Sequence, residues 1–270
     1  MFKKLLTFIA VIAIVFVLVM PAPADAALRH YKLYVYKAIT TQALFDVNRA
    51  TRLTDDVYYS VYRYHATTPS ATRETLYSDK AGTALASNPW VLESVFDDTG
   101  TIDFYCDPNE TSDKTVKILV IDAANGKSTW ADVAFDKDHT VIIDERPGVT
   151  HLLTLPLSST CVSGTSWGGA ANNSDAVDTG IDFPLQTAIF DAFVNVTTAS
   201  ASASTLDSGY LASSTAFISG QETFTVGLQH DTVFDTAFQF ITTDSTYQSI
   251  YYTWSTDSVD GWLNFIHTNY

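Results

Sequence analysis

The sequence predicts an all-β protein of two antiparallel β-sandwich domains, the first Ig-like and the second jelly-roll-like. Three observations carry that expectation. Apolar and polar residues alternate over short runs, Asp, Asn, Pro and Gly clusters part those runs at intervals near ten residues, and no convincing 3.6-residue period appears among them. Composition then divides the chain. From Pro147 to Tyr270, 124 residues carry no lysine or arginine but eleven acidic side chains, whereas residues 27–146 hold thirteen bases and eighteen acids. Two domains of different character are therefore expected, at 57–155 and 156–270, with a strand and linker at 27–56 ahead of them.

Residues 1–26 read as a secretory signal peptide: Lys3 and Lys4, an apolar run from Leu5 to Met20, Pro21, then small residues at Ala24 and Ala26 before the expected cleavage point. Cleavage leaves a secreted or cell-surface chain with no membrane anchor. Next, Arg29 to Lys37 alternates as a strand, with His30, Lys32, Tyr34 and Tyr36 on one face and Tyr31, Leu33 and Val35 on the other. Residues 38–56 are polar and weakly patterned. They are expected to detach this strand from the first sandwich, leaving Tyr31, Leu33 and Val35 to fill a neighbour's sheet by β-augmentation or to pair within their own domain.

The first sandwich is expected from runs at Val57–His65, Trp90–Phe96, Thr101–Cys106, Thr115–Asp122, Thr129–Asp136 and His139–Asp144. The turn residues between them include Asn125-Gly126, the strongest hairpin signal in the chain. A strand at His151–Leu157 spans the domain boundary. Beyond a Gly-, Asn- and Ser-rich loop at Ser163–Thr179, further runs are expected at Gly180–Pro184, Ala188–Thr197, Ser208–Leu211, Glu222–Leu228, Ala237–Thr242, Ser249–Trp254 and Trp262–Thr268. The last places Trp262, Asn264, Ile266 and Thr268 opposite Leu263, Phe265 and His267. Thr198–Thr205 is a low-complexity tract read as a turn or exposed edge.

The formal charge of −15 argues against a nucleic-acid partner, because phosphate binding needs a basic face. Cys106 and Cys161 are disulfide candidates in an exported chain; a bridge would close a 56-residue loop, worth about 4 kcal/mol in the chain-entropy model, the alternative being two buried thiols. Asp107, Asn109, Thr111 and Asp113 alternate as oxygen ligands for calcium would. Ser112 replaces the glycine of the EF-hand loop, however, and no closing glutamate follows. Asn173, Asp175, Asp178 and Asp182 form no better a set, so no cofactor is expected.

Gly164-Thr165-Ser166-Trp167-Gly168 matches the nucleophile-elbow spacing, with Asp231 or Asp235 and then His267 in hydrolase order. Loop-forming residues follow Ser166 where that chemistry needs a helix, so the chain is not expected to be an enzyme. Nor do its five glutamates form the alternating carboxylate pairs of glycoside hydrolysis, and its six histidines lack zinc-ligand spacing. Tyr251, Trp254, Trp262 and Tyr270, crowded near the carboxyl end, are candidate glycan contacts.

Two segments, Thr75–Thr83 continuing through Asn88-Pro89 to Asp98–Tyr105, and Asp178–Pro184 continuing to Val194–Thr197 with Ser249–Thr253, resemble modules of phage and virus surface or fibre proteins and of secreted metagenomic β proteins. The resemblance implies a structural or adhesive β protein and supplies no catalytic residue. The signal peptide departs from phage structural proteins and turns the expectation toward a secreted assembly. The leading expectation is thus a secreted structural protein that self-assembles into an extracellular filament, sheath or surface layer. The rivals are a carbohydrate-binding or adhesion module and, third, a hydrolase.

Overall fold

Period-two alternation is realised as β-structure throughout the computed structural model, which describes residues 28–54, 57–63, 73–85, 91–93, 100–107, 115–135, 137–157, 177–199, 204–210, 213–223, 225–230, 239–241, 249–254 and 260–270. Among these, seventeen strands form four sheets, and the one α-helix is a five-residue turn.

Sheet I is built on β1 (Arg29–Ala38), with β5 (Thr101–Cys106) and the two-residue β2 (Thr51–Arg52) antiparallel to it and β8 (Asp138–Asp144) parallel to it. Sheet II runs β4 (Val91–Glu93), β3 (Val57–Arg63), β6 (Thr115–Asp122), β7 (Lys127–Ala134). Sheet III runs β14 (Gly227–Gln229), β11 (Thr187–Thr198), β17 (Asp260–Asn269), β9 (Thr150–Leu157), with β15 (Gln239–Ile241) also on β11. Sheet IV runs β10 (Val177–Asp182), β16 (Ser249–Trp254), β12 (Thr205–Tyr210), β13 (Ser213–Glu222).

Side-chain parity explains the stacking. Tyr31, Leu33 and Val35 of β1, Ile102, Phe104 and Cys106 of β5, and Val141 and Ile143 of β8 point from sheet I into one core. Val57, Tyr59 and Val61 of β3 and Val116, Ile118 and Val120 of β6 meet them from sheet II. A second core joins Leu153, Leu155, Leu263 and Phe265 of sheet III to Phe183, which follows β10, and to Leu206, Phe217, Ile250 and Tyr252 of sheet IV. The odd-numbered set of β6, Leu119 and Ile121, belongs to this second core together with Tyr62 and Ala123. Sheet II is thus apolar on both faces, which is why β6 reads as Val-Lys-Ile-Leu-Val-Ile and not as a clean alternation.

Three expectations are corrected here. The strand at 29–38 is not detached: it is the middle strand of sheet I, because Tyr31, Leu33 and Val35 find their apolar surroundings in the chain's own sandwich. Residues 38–56 are not a featureless linker. Thr40 caps helix α1 (Thr41–Phe45) through its side-chain oxygen and the Ala43 N–H, and a 3₁₀ turn at Val47–Arg49 is capped by Asp46. Finally, the single strand expected over Glu222–Leu228 is divided: Glu222 ends β13, and Gly227 and Leu228 belong to β14, which Gly227 opens at a φ of +121° that favours glycine. β13 itself was concealed by its Ser- and Ala-rich composition.

Sheet III contains its tightest backbone approach at Gly261. A Cβ built there would overlap the Asn195 carbonyl oxygen on the paired strand β11. Gly261→Ala is therefore expected to cost about 1–3 kcal/mol through forced displacement of one strand, read as a lower urea midpoint with an unchanged slope.

Candidate functional site

Two features of the first sandwich stand out chemically: the slot that β1 fills, and the charged plug at one end of that slot.

Strand β1 lies between β5, in register from Arg29↔Cys106 to Tyr34↔Thr101, and β8, from Lys32↔Asp138 to Ala38↔Asp144. Tyr31 stacks on Phe104 at 5.3 Å between centroids, with the planes 9° apart, and Tyr59 packs on the same ring at 5.9 Å. The Tyr31 hydroxyl is in hydrogen-bonding contact with Cys106; burial, the largest cause, raises both groups well above their ordinary values. On the outer face, the Arg52 guanidinium sits over the rings of Tyr34 and Tyr36 at 4.4 and 4.9 Å. It also donates to the Tyr36 hydroxyl at 2.7 Å and to Thr101 Oγ1 at 3.1 Å, which pins the β2 end of the linker to the sheet.

Following each inward row to its end gives the plug. Tyr31, Leu33 and Val35 are succeeded by Lys37, Val141 and Ile143 by Glu145, and Val116, Ile118 and Val120 by Asp122, which is paired across the β6–β7 hairpin with Lys127. Asp122 is fully buried and accepts from the Ala124 and Asn125 N–H groups at Oδ1 and from Asn125 Nδ2 at Oδ2. The Glu145 side chain is 8% exposed, with Oε2 3.8 Å from Lys37 Nζ. Its other oxygen, Oε1, is buried without a donor. Its carboxyl is pushed up to about 8, first by burial, then by hydrogen bonding to and repulsion from Asp122, with Lys37 and Lys127 opposing. Lys127 is almost wholly buried, and desolvation holds its amine below the ordinary lysine value despite Glu145, Asp144 and Asp122 nearby.

The plug continues toward sheet III. Arg146 clamps Asp144 through Nε at 2.9 Å and Nη2 at 2.7 Å, which lowers the Asp144 carboxyl. His151 Nε2 lies 3.1 Å from the Arg146 carbonyl, and the His151 ring is 5.8 Å from that of His267. His267 is fully buried against Phe183 at 5.1 Å and is pushed down to about 3, by burial first and then by His151 and Lys127. Neither of its nitrogens has a hydrogen-bond partner; Asn269 and the Gly126 backbone lie beside the ring outside bonding geometry. His267 is therefore a neutral packing ring.

The structure places the sequence candidates as follows. Tyr31, Leu33 and Val35 are core. Cys106 is a buried thiol whose strand parity aims Sγ at Tyr31 inside the first sandwich. Its candidate partner Cys161 lies outside the described residues, as do Asn109 and Asp113 of the calcium set, Ser166, Asp231 and Asp235. Asp107 is half-buried at the end of β5.

Trp262 cannot stack on a glycan. It is 5% exposed and closed in by Tyr62 at 5.8 Å and Trp130 at 6.0 Å, where sheets II and III meet. Of the other glycan candidates, Tyr251 is half-buried, the Trp254 side chain lies outside the description, and Tyr270 is exposed. Sequence reasoning missed Asp122, Lys127 and Glu145. The available signal was parity: Asp122 and Glu145 each occupy an inward position one step past an apolar row, and Lys127 faces Asp122 across the hairpin.

No family model, curated protein or solved structure matches this chain.

Proposed function

We propose that this protein is exported and serves as a structural subunit, copies of which join into an extracellular filament, sheath or surface layer by exchanging β1. One observation carries the reading: β1 is the first strand of the described chain, yet it completes the middle of a sheet between β5 and β8 with its inward residues wholly buried. A strand so placed can be supplied by a second copy with every backbone and side-chain contact preserved, which is the requirement for domain swapping and β-augmentation. The hinge such an exchange needs is the segment after β1, where Ile39 and Phe45 are 57% and 83% exposed. Those side chains are costly to leave in water and are available to a neighbour. The expected secretory leader and the acidic, lysine-free stretch from Pro147 to Tyr270 suit a subunit that works outside the cell.

A cross-link tests this. Lys32 and Asp103 are register partners on the outer face of sheet I. In the Lys32→Cys, Asp103→Cys double variant, oxidised after assembly, exchange is expected to give a ladder of covalent multimers on a denaturing gel without reductant, and neither single variant should do so. A band at monomer mass alone would sink the exchange reading.

A further inference from the structure

We propose that Glu145 keeps a proton directed at Asp122, and that its release loosens the end of β1, making the charged plug a proton-controlled latch on that strand. This goes beyond the structural role proposed above and does not depend on it, since the latch acts whether β1 is seated in its own chain or in a neighbour's.

The geometry carries the first half. Two carboxyl groups are in contact at the end of the sandwich, Asp122 fully buried and Glu145 nearly so. Three N–H donors already occupy Asp122, whereas Glu145 Oε1 has no donor at all. A buried carboxylate oxygen facing another carboxylate without a hydrogen between them is strongly unfavourable. One proton on Glu145, donated toward Asp122, removes both defects.

The connection to β1 carries the second half. The Glu145 N–H donates to the Ala38 carbonyl at 2.9 Å, and Glu145 Oε2 faces Lys37. Both contacts fall on the last two residues of β1, before the hinge. Once the proton leaves, two adjoining buried anions must separate or admit water. The element free to give is the Glu145 end of β8 with the β1 residues it holds, because Asp122 is fixed by its own hairpin.

The surrounding charges set the pH window. Facing Glu145 are Asp122 and Lys127 from the hairpin and Lys37 from β1; beyond them lie Asp144 and Arg146 at the end of β8, His151 on β9 and His267 on β17. Glu145 is raised from 4.5 to about 8. The folded state therefore binds the extra proton, and stability present below 4.5 is lost progressively as pH rises to about 8. His267, lowered from 6.5 to about 3, acts oppositely, adding stability as pH rises from 3 to 6.5. His151, also lowered, acts in that same sense below 6.5, and Lys127, lowered by burial, does so below 10.5. The window in which neither histidine opposes Glu145 is thus about pH 6.5 to 8.

Amide hydrogen exchange across pH 5 to 9, expressed as protection factors for residues 35–38 and 143–145, tests the latch in wild-type protein and in Glu145→Gln. The wild type is expected to lose about tenfold in protection between pH 6.5 and 8, with Leu33 changing less, and Glu145→Gln to show no such loss. An identical decline in the variant, or none in the wild type, overturns the proposal. Should Glu145→Gln fail to fold, the carboxyl carbon resonance of Glu145 in the wild type decides: a midpoint near 8 supports the retained proton, and full ionisation by pH 6 overturns it.

Discussion

Tyr31→Ala is expected to cost about 3–5 kcal/mol, enough to unfold much of the population of a domain of ordinary stability. Tyr31 is fully buried, and its ring forms a stack with Phe104 that Tyr59 extends on sheet II. Truncation leaves a ring-sized void walled by strands β1, β3 and β5, which are held in place by their ladders and cannot collapse into it. Tyr31→Phe keeps the stack and removes the hydroxyl, with its contact to Cys106, so its loss should stay near 1 kcal/mol. On the opposite face, Tyr34→Ala should cost less than about 1.5 kcal/mol, since that ring is half-exposed and mainly supports Arg52 and Lys32. Urea denaturation of the three variants gives the ranking. Equal losses at Tyr31 and Tyr34 would contradict the assignment of β1's inner face.

The second large effect is expected at Trp262→Ala. Trp262 on β17 meets Tyr62 on β3 and Trp130 on β7, and those two meet each other at 5.5 Å, so three rings join sheet III to sheet II. Ser128 reinforces the seam by donating to the Leu152 carbonyl at 3.2 Å and accepting from the Thr154 N–H at 2.8 Å. Removing the indole should cost about 3–5 kcal/mol. It should also loosen the coupling of the two cores enough to split a single calorimetric transition into two, because Leu119, Ile121 and Ala123 are then left to hold sheet II to the second core. Trp262→Phe retains a ring and removes an indole N–H that is buried without an acceptor, so it should be far milder. A single, undivided transition in Trp262→Ala would mean that the two cores stay coupled without it.

Local pattern in this chain was legible where a strand has one wet face. The runs at 101–106, 115–122 and 249–254 were readable to the residue, and the inward set of β1 followed from alternation alone. Small polar residues concealed β13, since Ser213-Ser214-Thr215-Ala216 offers no contrast between faces. The neighbours of β1 were illegible for a different reason: pairing with β8 is long-range, and no local signal marks which distant strand will lie alongside. Tryptophan misled in the opposite direction. Trp262 looks like a ligand platform in a crowd of aromatics, and only the folded position of Tyr62 and Trp130 reveals it as internal. The ionisable plug was half-legible. Asp122 and Lys127 flank a turn and pass for hairpin ends, and their burial becomes visible only once sheet I covers them.

The parallel alignment of β1 with β8 also dictates when the molecule can finish folding. Lys32 is matched to Asp138, so a chain made from its amino end must keep β1 without its β8 neighbour until about a hundred further residues have emerged. During that delay the apolar row of Tyr31, Leu33 and Val35 lacks its full surroundings, and under the exchange proposed above the groove of a neighbour whose own β1 has not yet seated would compete with the one its own chain has yet to build. By that proposed exchange, a chain would close on itself at low density and capture another in a crowd. The number of copies present at the moment of completion, as much as any contact within one copy, would then decide what is built.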